Sequence, residues 1–444
     1  MKISDFEKGL NFSEIGQEMH RLISDLYPIC RSITGNGVRE TLATLKTLIP
    51  LEIHEVPSGT RVFDWTVPKE WNIADAYIKN DRGERIVDFQ KSNLHVVSYS
   101  VPVKAKMHLN ELKKHLFSLP EHPDWIPYRT SYYEENWGFC LTHKQWSGLD
   151  DGEYEVCIES TLDEGHLTYG EYYLRGERPQ EVLISCHACH PSLCNDNLSG
   201  VALAAFIAKH LSPLSLRNSY RFLFIPGTIG SITWLSLNEA HVSKIKYGLT
   251  VAGVGDPGKS TYKKSRRGDS EIDKAVVHVL RHSGDDYQVM DFVPYGYDER
   301  QYCSPGFNLP VGSFMRTPHG RYPEYHTSAD NPDFVQPRYL ADSFAKLLSV
   351  LRILEDNGTY LNQNPKGEPQ LGRRGLYRSI GGQKDEKVRE LAMLWVLNLS
   401  DGDHTLLDIA ERSALEFGLI RDAADRLLEH DLLRDASRVA TGIS

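Results

Sequence analysis

The stretch Ser185-Cys186-His187-Ala188-Cys189-His190-Pro191-Ser192-Leu193-Cys194-Asn195-Asp196-Asn197-Leu198-Ser199-Gly200 joins two apolar runs, EVLISCH (181–187) and SGVALAAFIAKHLS (199–212). The first is short and continuously apolar, the pattern of a strand buried on both faces; the second is long enough to read as a buried helix. The residues between them therefore sit at the carboxyl end of a strand, where α/β sheets place their ligands. They offer two imidazoles, His187 and His190, and the Asp196 carboxylate within ten residues. Zinc takes histidine nitrogen and carboxylate oxygen, and a catalytic zinc keeps one position open for water. A closed structural site of Cys186, Cys189 and Cys194 with the two histidines is the competing reading. It lacks a second ligand pair at zinc-finger distance, and a small buried cysteine packs like a hydrophobe.

Outward from this stretch the α/β rhythm continues. YRFLFIP (220–226) reads as a strand, SITWLSLNEAHV (231–242) as a helix and KYGLTVAGVG (246–255) as a third strand. SEIDKAVVHVLRHSG (270–284) is a helix, FVPYG (292–296) an extended piece, NLPVGSFMR (308–316) a strand and PRYLADSFAKLLSVLRILED (337–356) a long helix. Alternating strands and helices imply a mostly parallel mixed sheet with helices on both faces. Two helices and a strand precede it, in 13–27, in the segment after Gly35-Asn36-Gly37, and in LEIHEVP (51–57). Near the end of this region Tyr325-His326-Thr327-Ser328-Ala329-Asp330-Asn331 lies between a strand and the last long helix, so His326 could reach the same sheet edge.

Residues 61–170 change character. Aromatics are dense (Trp65, Trp71, Tyr77, Trp125, Tyr128, Tyr132, Tyr133, Trp137, Trp146), and NLHVVSYSVPV (93–103) and GEYEVCIEST (152–161) alternate like strands. The segment reads as an inserted β-rich subdomain whose aromatics serve core and rim packing. The α/β domain is then discontinuous, 1–60 with 171–361. The polar, Gly- and Pro-containing 362–375 is a linker, and 376–444 reads as a small helical, winged-helix-like domain. Its GLIRDAADRLLEHD stretch (418–431) is acidic, so few phosphate contacts are expected and the module reads as a packing or self-association element rather than a nucleic-acid binder.

Bulk properties agree. A chain of 444 residues exceeds one ordinary core, and 40% hydrophobic with 25% charged residues is ordinary globular composition. A net charge of −10 does not favour nucleic acid or anionic membranes. Seven cysteines, an odd number in a long chain, argue against a disulfide framework. The opening MKISDFEKGLNFSEIG lacks the apolar core of a signal peptide, and no apolar run suffices for a spanning helix. A soluble, cytoplasmic protein is the expectation. Against the acidic background, Lys263, Lys264, Arg266 and Arg267 form a basic cluster; Arg266 and Arg267 are suited to bidentate capture of a substrate carboxylate. His319 is a further candidate to line the pocket.

Asp-Asn-Leu-Ser-Gly (196–200) entering an apolar helix, with His-Thr-Ser-Ala-Asp (326–330) before the last one, resembles the co-catalytic zinc aminopeptidases, a family that includes bacterial leucine aminopeptidases and shares its fold with glutaminyl cyclases. CRSITGNGVRETLATL (30–45) resembles the entrance to that family's first helix. The resemblance is strongest to the aminopeptidase-like branch found near polysaccharide biosynthesis genes, with an inserted β subdomain and a C-terminal winged helix, and it covers nearly the whole chain. It implies that Asp196 stands at the bridging carboxylate, His187 (or His190) at the strand-end histidine and His326 at the late histidine. Two departures matter. Where the family carries a Glu-Glu pair, this chain reads Phe224-Ile225-Pro226-Gly227-Thr228-Ile229-Gly230; where its next ligand Asp falls, this chain has Val251-Ala252-Gly253-Val254-Gly255, with Asp256 just beyond as a substitute. One zinc ion is therefore expected rather than two, and a base must come from elsewhere, Glu299 or Glu324 being the candidates. The activity implied is hydrolysis of an amide in a peptide or an amide-bearing small molecule. An amidase or deacylase acting on aminosugar or cell-wall precursors, and a metal-binding scaffold without catalysis, are the alternatives.

Overall fold

The computed structural model describes residues 3–376 and 384–436. The chain divides into two compact units, Met1–Ser270 with Asp286–Ala345, and Glu271–Asp285 with Lys346–Ser444. Parts of the expected 376–444 module, residues 377–383 and 437–444, lie outside the described residues.

An eight-stranded mixed sheet organises the first unit. Its strands are β1 (Glu52–Pro57), β2 (His166–Leu174), β3 (Glu181–His187), β4 (Ser219–Ile225), β5 (Ile245–Val251), β6 (Ser260–Lys263), β7 (Tyr287–Met290) and β8 (Val311–Met315), in spatial order β1-β2-β4-β3-β5-β8-β6-β7. The four central strands β4, β3, β5 and β8 run parallel; β2 and the β6–β7 pair run against them. The reason is legible in β3, every residue of which is buried. A parallel sheet is covered on both faces, so its central strands are apolar throughout instead of alternating. The one charged residue there, Glu181, is kept by the Arg221 guanidinium at 2.7 Å on the neighbouring β4. The helix Ser199–Leu211 is buried along almost its whole length; its alanines let it lie close to the sheet.

The inserted segment builds its own four-stranded antiparallel sheet, in order Arg85–Asp88, Glu70–Lys79, Glu153–Asp163, Val103–His108. Ala76, Ile78, Leu112, Phe139, Val156 and Ile158 fill its core. Two local expectations fail here. Residues 93–103 do not form one strand: Asn93–His95 is a helical turn, and the ladder begins only at Val103. Leu94 to Ser100 are all buried, and in place of a ladder they make isolated bridges, Val96 with Phe139 and Ser98 with Thr130, with Val97 N bonded to Gly138 O and Ser98 N to Arg129 O. At the far boundary, β2 begins at His166 and pairs with β1 and β4, so the large sheet reclaims the chain a few residues before 171. The extended piece at 292–296 joins no ladder and follows a strand, Tyr287–Met290, that lies just before it.

The second unit has a three-stranded sheet, Asp401–Thr405, Thr359–Asn362 and Leu433–Asp435, with helices Lys384–Leu399, Leu406–Ser413 and Phe417–Glu429. Thr359–Asn362 thus belongs to this unit. Thr405 caps the second helix through a reciprocal bond with Asp408. The helix Glu271–His282 joins the unit through buried His278, which faces Glu411 at 2.6 Å and accepts from the Phe417 amide at 3.0 Å. On Phe417–Glu429 the Arg421 guanidinium is taken up by Asp425 and the Tyr360 hydroxyl. No helix among the described residues is long and apolar enough to cross a membrane.

Candidate metal centre

All the loops that build the site leave the carboxyl ends of parallel strands. His187 is the last residue of β3, Asp196 lies in the turn Cys194–Leu198 before the helix Ser199–Leu211, and His326 lies in the loop that follows β8. The structure brings His187, His190, Asp196 and His326 together. Ligand atoms of the first three lie within 4.8 Å of one another. His187 Nε2 stands 2.8 Å from Asp196 Oδ1, and His326 Nε2 stands 3.0 Å from Asp196 Oδ2. The His190 ring centroid is 5.0 Å from that of His187 and 5.2 Å from that of His326.

The surroundings fix these groups. Asn197 ties two strand ends: its Nδ2 donates to the carbonyls of His187 (3.2 Å) and Val251 (3.1 Å), and its Oδ1 accepts from Gly200 N and Gly253 N. Asp330 accepts from the amides of Asn195 (2.6 Å) and Asp196 (2.9 Å), which sets the turn carrying Asp196. Buried Arg31 donates from Nε to the His190 carbonyl at 2.9 Å. His326 has φ 56°, a conformation costly for a side chain with Cβ. It is held there by the Tyr128 amide, which donates to its carbonyl at 2.8 Å, while Ser328 N donates to Ile126 O. Tyr297 stacks on His187, Tyr325 on His326, and Tyr128 meets His190 and His326 edge-on.

The electrostatics suit a cation. Burial opposes the Asp196 charge, but the three imidazoles hold its carboxyl well below the usual range. Burial pushes His190 down to about 3, leaving it neutral, the form that ligates metals. In His187 burial is outweighed by the Asp196 carboxylate, and the imidazole is raised. Burial lifts Asp330 to about 8 against the amides it accepts from, and lifts Asp298 to about 6. Two imidazoles and a buried carboxylate whose ligand atoms lie within 4.8 Å of one another, with the His326 imidazole on the other carboxylate oxygen, are a donor set that fits zinc.

The remaining sequence candidates are placed as follows. Glu299 is fully buried and ion-paired with Lys263, itself 3% exposed, so it is not a free base. Lys263 is thereby removed from the expected basic cluster, and its Nζ also donates to Tyr295 O. Lys263→Met is expected to destabilise the protein by about 3–5 kcal/mol, because it leaves a buried carboxylate unpaired. Lys263→Met with Glu299→Leu should recover much of that loss; urea denaturation of both variants is the check. Arg266 and Arg267 are exposed and bond to the Asn308 side chain and carbonyl. Asp256 is buried and accepts from Asn195 Nδ2, Gly258 N, Thr317 N and Thr317 Oγ1. His319 stands within 5.0 Å of the Tyr297 ring, one aromatic layer from His187. Glu324 is half-buried, and its carbonyl accepts from Thr327. Asp298 was missed. A Cβ on Gly227 would lie 3.1 Å from His187 Cβ and 3.4 Å from Asp298 Oδ2. Asp298 therefore brings a buried carboxylate, bonded to Ser231 Oγ at 2.7 Å, to the end of β4 where the family pattern keeps its own acids. The only sequence signal was two adjacent acids in Asp298-Glu299, with nothing to say which one faces inward.

Sheet order, strand-end loops and the C-terminal unit define the class: an aminopeptidase-like α/β fold joined to a winged helix. The structure of a zinc aminopeptidase from Bacillus subtilis superposes with a TM-score of 0.55 at 11% identity, over 76% of this chain and 94% of that one. A peptidase M28 precursor from Shewanella amazonensis gives 0.53 at 13%, over 80% and 96%. The family described as "Domain of unknown function (DUF4910)" matches residues 20–357, and a winged helix-turn-helix family matches 358–435. The chain belongs to the DUF4910 family. A Clostridium acetobutylicum protein described as a "Putative polysaccharide biosynthesis protein with aminopeptidase-like domain" is 58% identical over 424 residues, 96% of this chain and 98% of that one. The crystal structure of a "putative peptidase" from the same organism has a TM-score of 0.93 at 56% identity, covering 98% of this chain and all of the other.

Proposed function

We propose that the chain is a zinc-dependent hydrolase that cleaves an amide bond adjacent to a free amino group. The observation that supports it most is the convergence of His187, His190, Asp196 and His326 at the strand ends of an aminopeptidase-like sheet. These four residues would hold one zinc ion, which when bound supplies Lewis-acid polarisation of a carbonyl and a water acidic enough to act near neutral pH. The chain's own residues do the rest. Asp330 and Asn197 fix the turn and strand end that carry Asp196 and His187, Tyr128 holds the His326 backbone, and the Tyr297 and Tyr325 rings stack on the His187 and His326 imidazoles and orient them. With Glu299 paired to Lys263, Asp298 and Glu324 are the carboxylates left to take up a proton. The relative described as a polysaccharide biosynthesis protein favours, as second reading, an amide on an aminosugar or its precursor as substrate.

The test is elemental analysis of the purified protein joined to a screen of aminoacyl and N-acylaminosugar amides. About one zinc per chain and zinc-dependent turnover of one amide class are expected. Turnover falling about 100-fold in either Asp298→Asn or Glu324→Gln, with zinc retained, identifies the proton acceptor. Zinc without turnover of any amide would leave a metal-binding scaffold.

A further inference from the structure

The metal-centre candidates are not equally accessible. The side chains of His187 and Asp196 are 4% and 0% exposed, whereas His326 keeps 34% of its side chain open. On that open side lies a recess of about 290 Å³, lined by His326 together with Phe117, Tyr128, Arg129, Asn136 and Trp137. Everything but the histidine comes from the inserted segment. The volume is close to the lower end of small-molecule pockets, enough for one side chain or one sugar-sized group.

Its lining is chemically uneven. Trp137 is stacked on His115 at 3.7 Å and Phe117 lies under the Arg129 guanidinium at 4.6 Å, so both aromatic walls are rigidly backed. Arg129 is the one permanently charged side chain in the lining, and it forms no ion pair among the described residues. Nearby Glu135 is instead turned to Lys69, at 3.7 Å. A guanidinium spread over a ring, with its edge free, is pre-set to accept a carboxylate bidentately. The Arg129 backbone is fixed as well: its carbonyl accepts from Ser98 N at 2.8 Å, and the neighbouring Tyr128 amide is bound to the His326 carbonyl. The cation thus sits on the same rigid strip of chain that holds the metal-ligand loop.

We propose that this recess is a specificity site for a carboxylate on the substrate, gripped by Arg129 while the scissile amide lies at His326. The inference rests on the hydrolase reading above and names its substrate class: amides bearing a carboxylate next to the bond cut. The inserted segment is then a substrate-reading element as well as a structural one.

Binding, not turnover, tests it. Calorimetry on the full-length protein would compare three probes: L-leucinamide, the α-amide of L-glutamate with its carboxylate on the acyl side, and L-leucylglycine with its carboxylate on the amine side. At least one carboxylate probe is expected to bind about 10-fold tighter than leucinamide, as a charge-assisted bidentate pair allows. Arg129→Gln should cut that advantage to about 2-fold or less and Arg129→Lys should restore part of it, with zinc content unchanged. Which carboxylate probe wins tells on which side of the amide the acid lies. Equal binding of all three, binding of none, or an advantage that survives Arg129→Gln would overturn the proposal. Loss of zinc or of turnover in wild type bears instead on the hydrolase reading.

Discussion

Asp196→Ala is expected to empty the metal centre: about one zinc per chain in wild type, near zero in the variant, and turnover reduced at least about 1000-fold. Asp196 has no exposed side-chain surface and offers one oxygen to His187 and the other to His326, so no other carboxylate can slide into its place. Its removal also leaves two imidazoles facing each other without the anion between them. Each hydrogen bond to a charged group is worth about 1.5–3 kcal/mol, so a fall in thermal stability accompanies the loss. His326→Ala separates the two effects. That side chain is one-third exposed and its loop is held through the backbone by Tyr128 and Ile126, so zinc should be lost at a smaller cost in stability. Elemental analysis and thermal melts with and without chelator measure both. Zinc retained at full stoichiometry in both variants would place the metal elsewhere, among Cys186, Cys189 and Cys194, and would end the proposed site.

The second large effect is expected at a residue that touches no ligand. Gly200→Ala should destabilise the protein by about 3 kcal/mol and abolish zinc binding. A methyl group at Gly200 would overlap Asn197 Oδ1 and Nδ2 and the Val251 carbonyl oxygen. Those are the atoms through which Asn197 joins the end of β3, the end of β5 and the start of the helix Ser199–Leu211. Pushing the helix away moves Asn197, and with it the Asp196 turn and His187. Helix propensity argues the opposite sign, since alanine is better than glycine inside a helix by roughly 0.5–1 kcal/mol. The sign of the change in denaturation midpoint therefore decides between close packing and propensity: a more stable Gly200→Ala protein would refute the packing account.

Much of this was readable in one dimension. EVLISCH, YRFLFIP and KYGLTVAGVG announce buried strands because a strand covered on both faces is apolar along most of its length, and SGVALAAFIAKHLS announces its helix for the same reason. His187, His190 and Asp196 are near neighbours in sequence, so a single turn at a strand end is enough to gather them. Local rules misread 93–103, which is buried without alternation from Leu94 to Ser100 and pairs through isolated bridges instead of a ladder.

Sequence by itself determined the strand-and-helix rhythm, the strand-end position of the short His–Asp stretch and the candidacy of His326, because these depend on local hydrophobic pattern and on residues close along the chain. Only the tertiary structure decided that His326 crosses 130 residues to meet Asp196, that Lys263 neutralises Glu299, that Asp298 lies beside His187, and that the insert's Ile126–Tyr128 strip holds the His326 loop. Each of these pairings is fixed by which strand ends the sheet order sets side by side, and sheet order is a property of the packed core, which no short window of sequence contains.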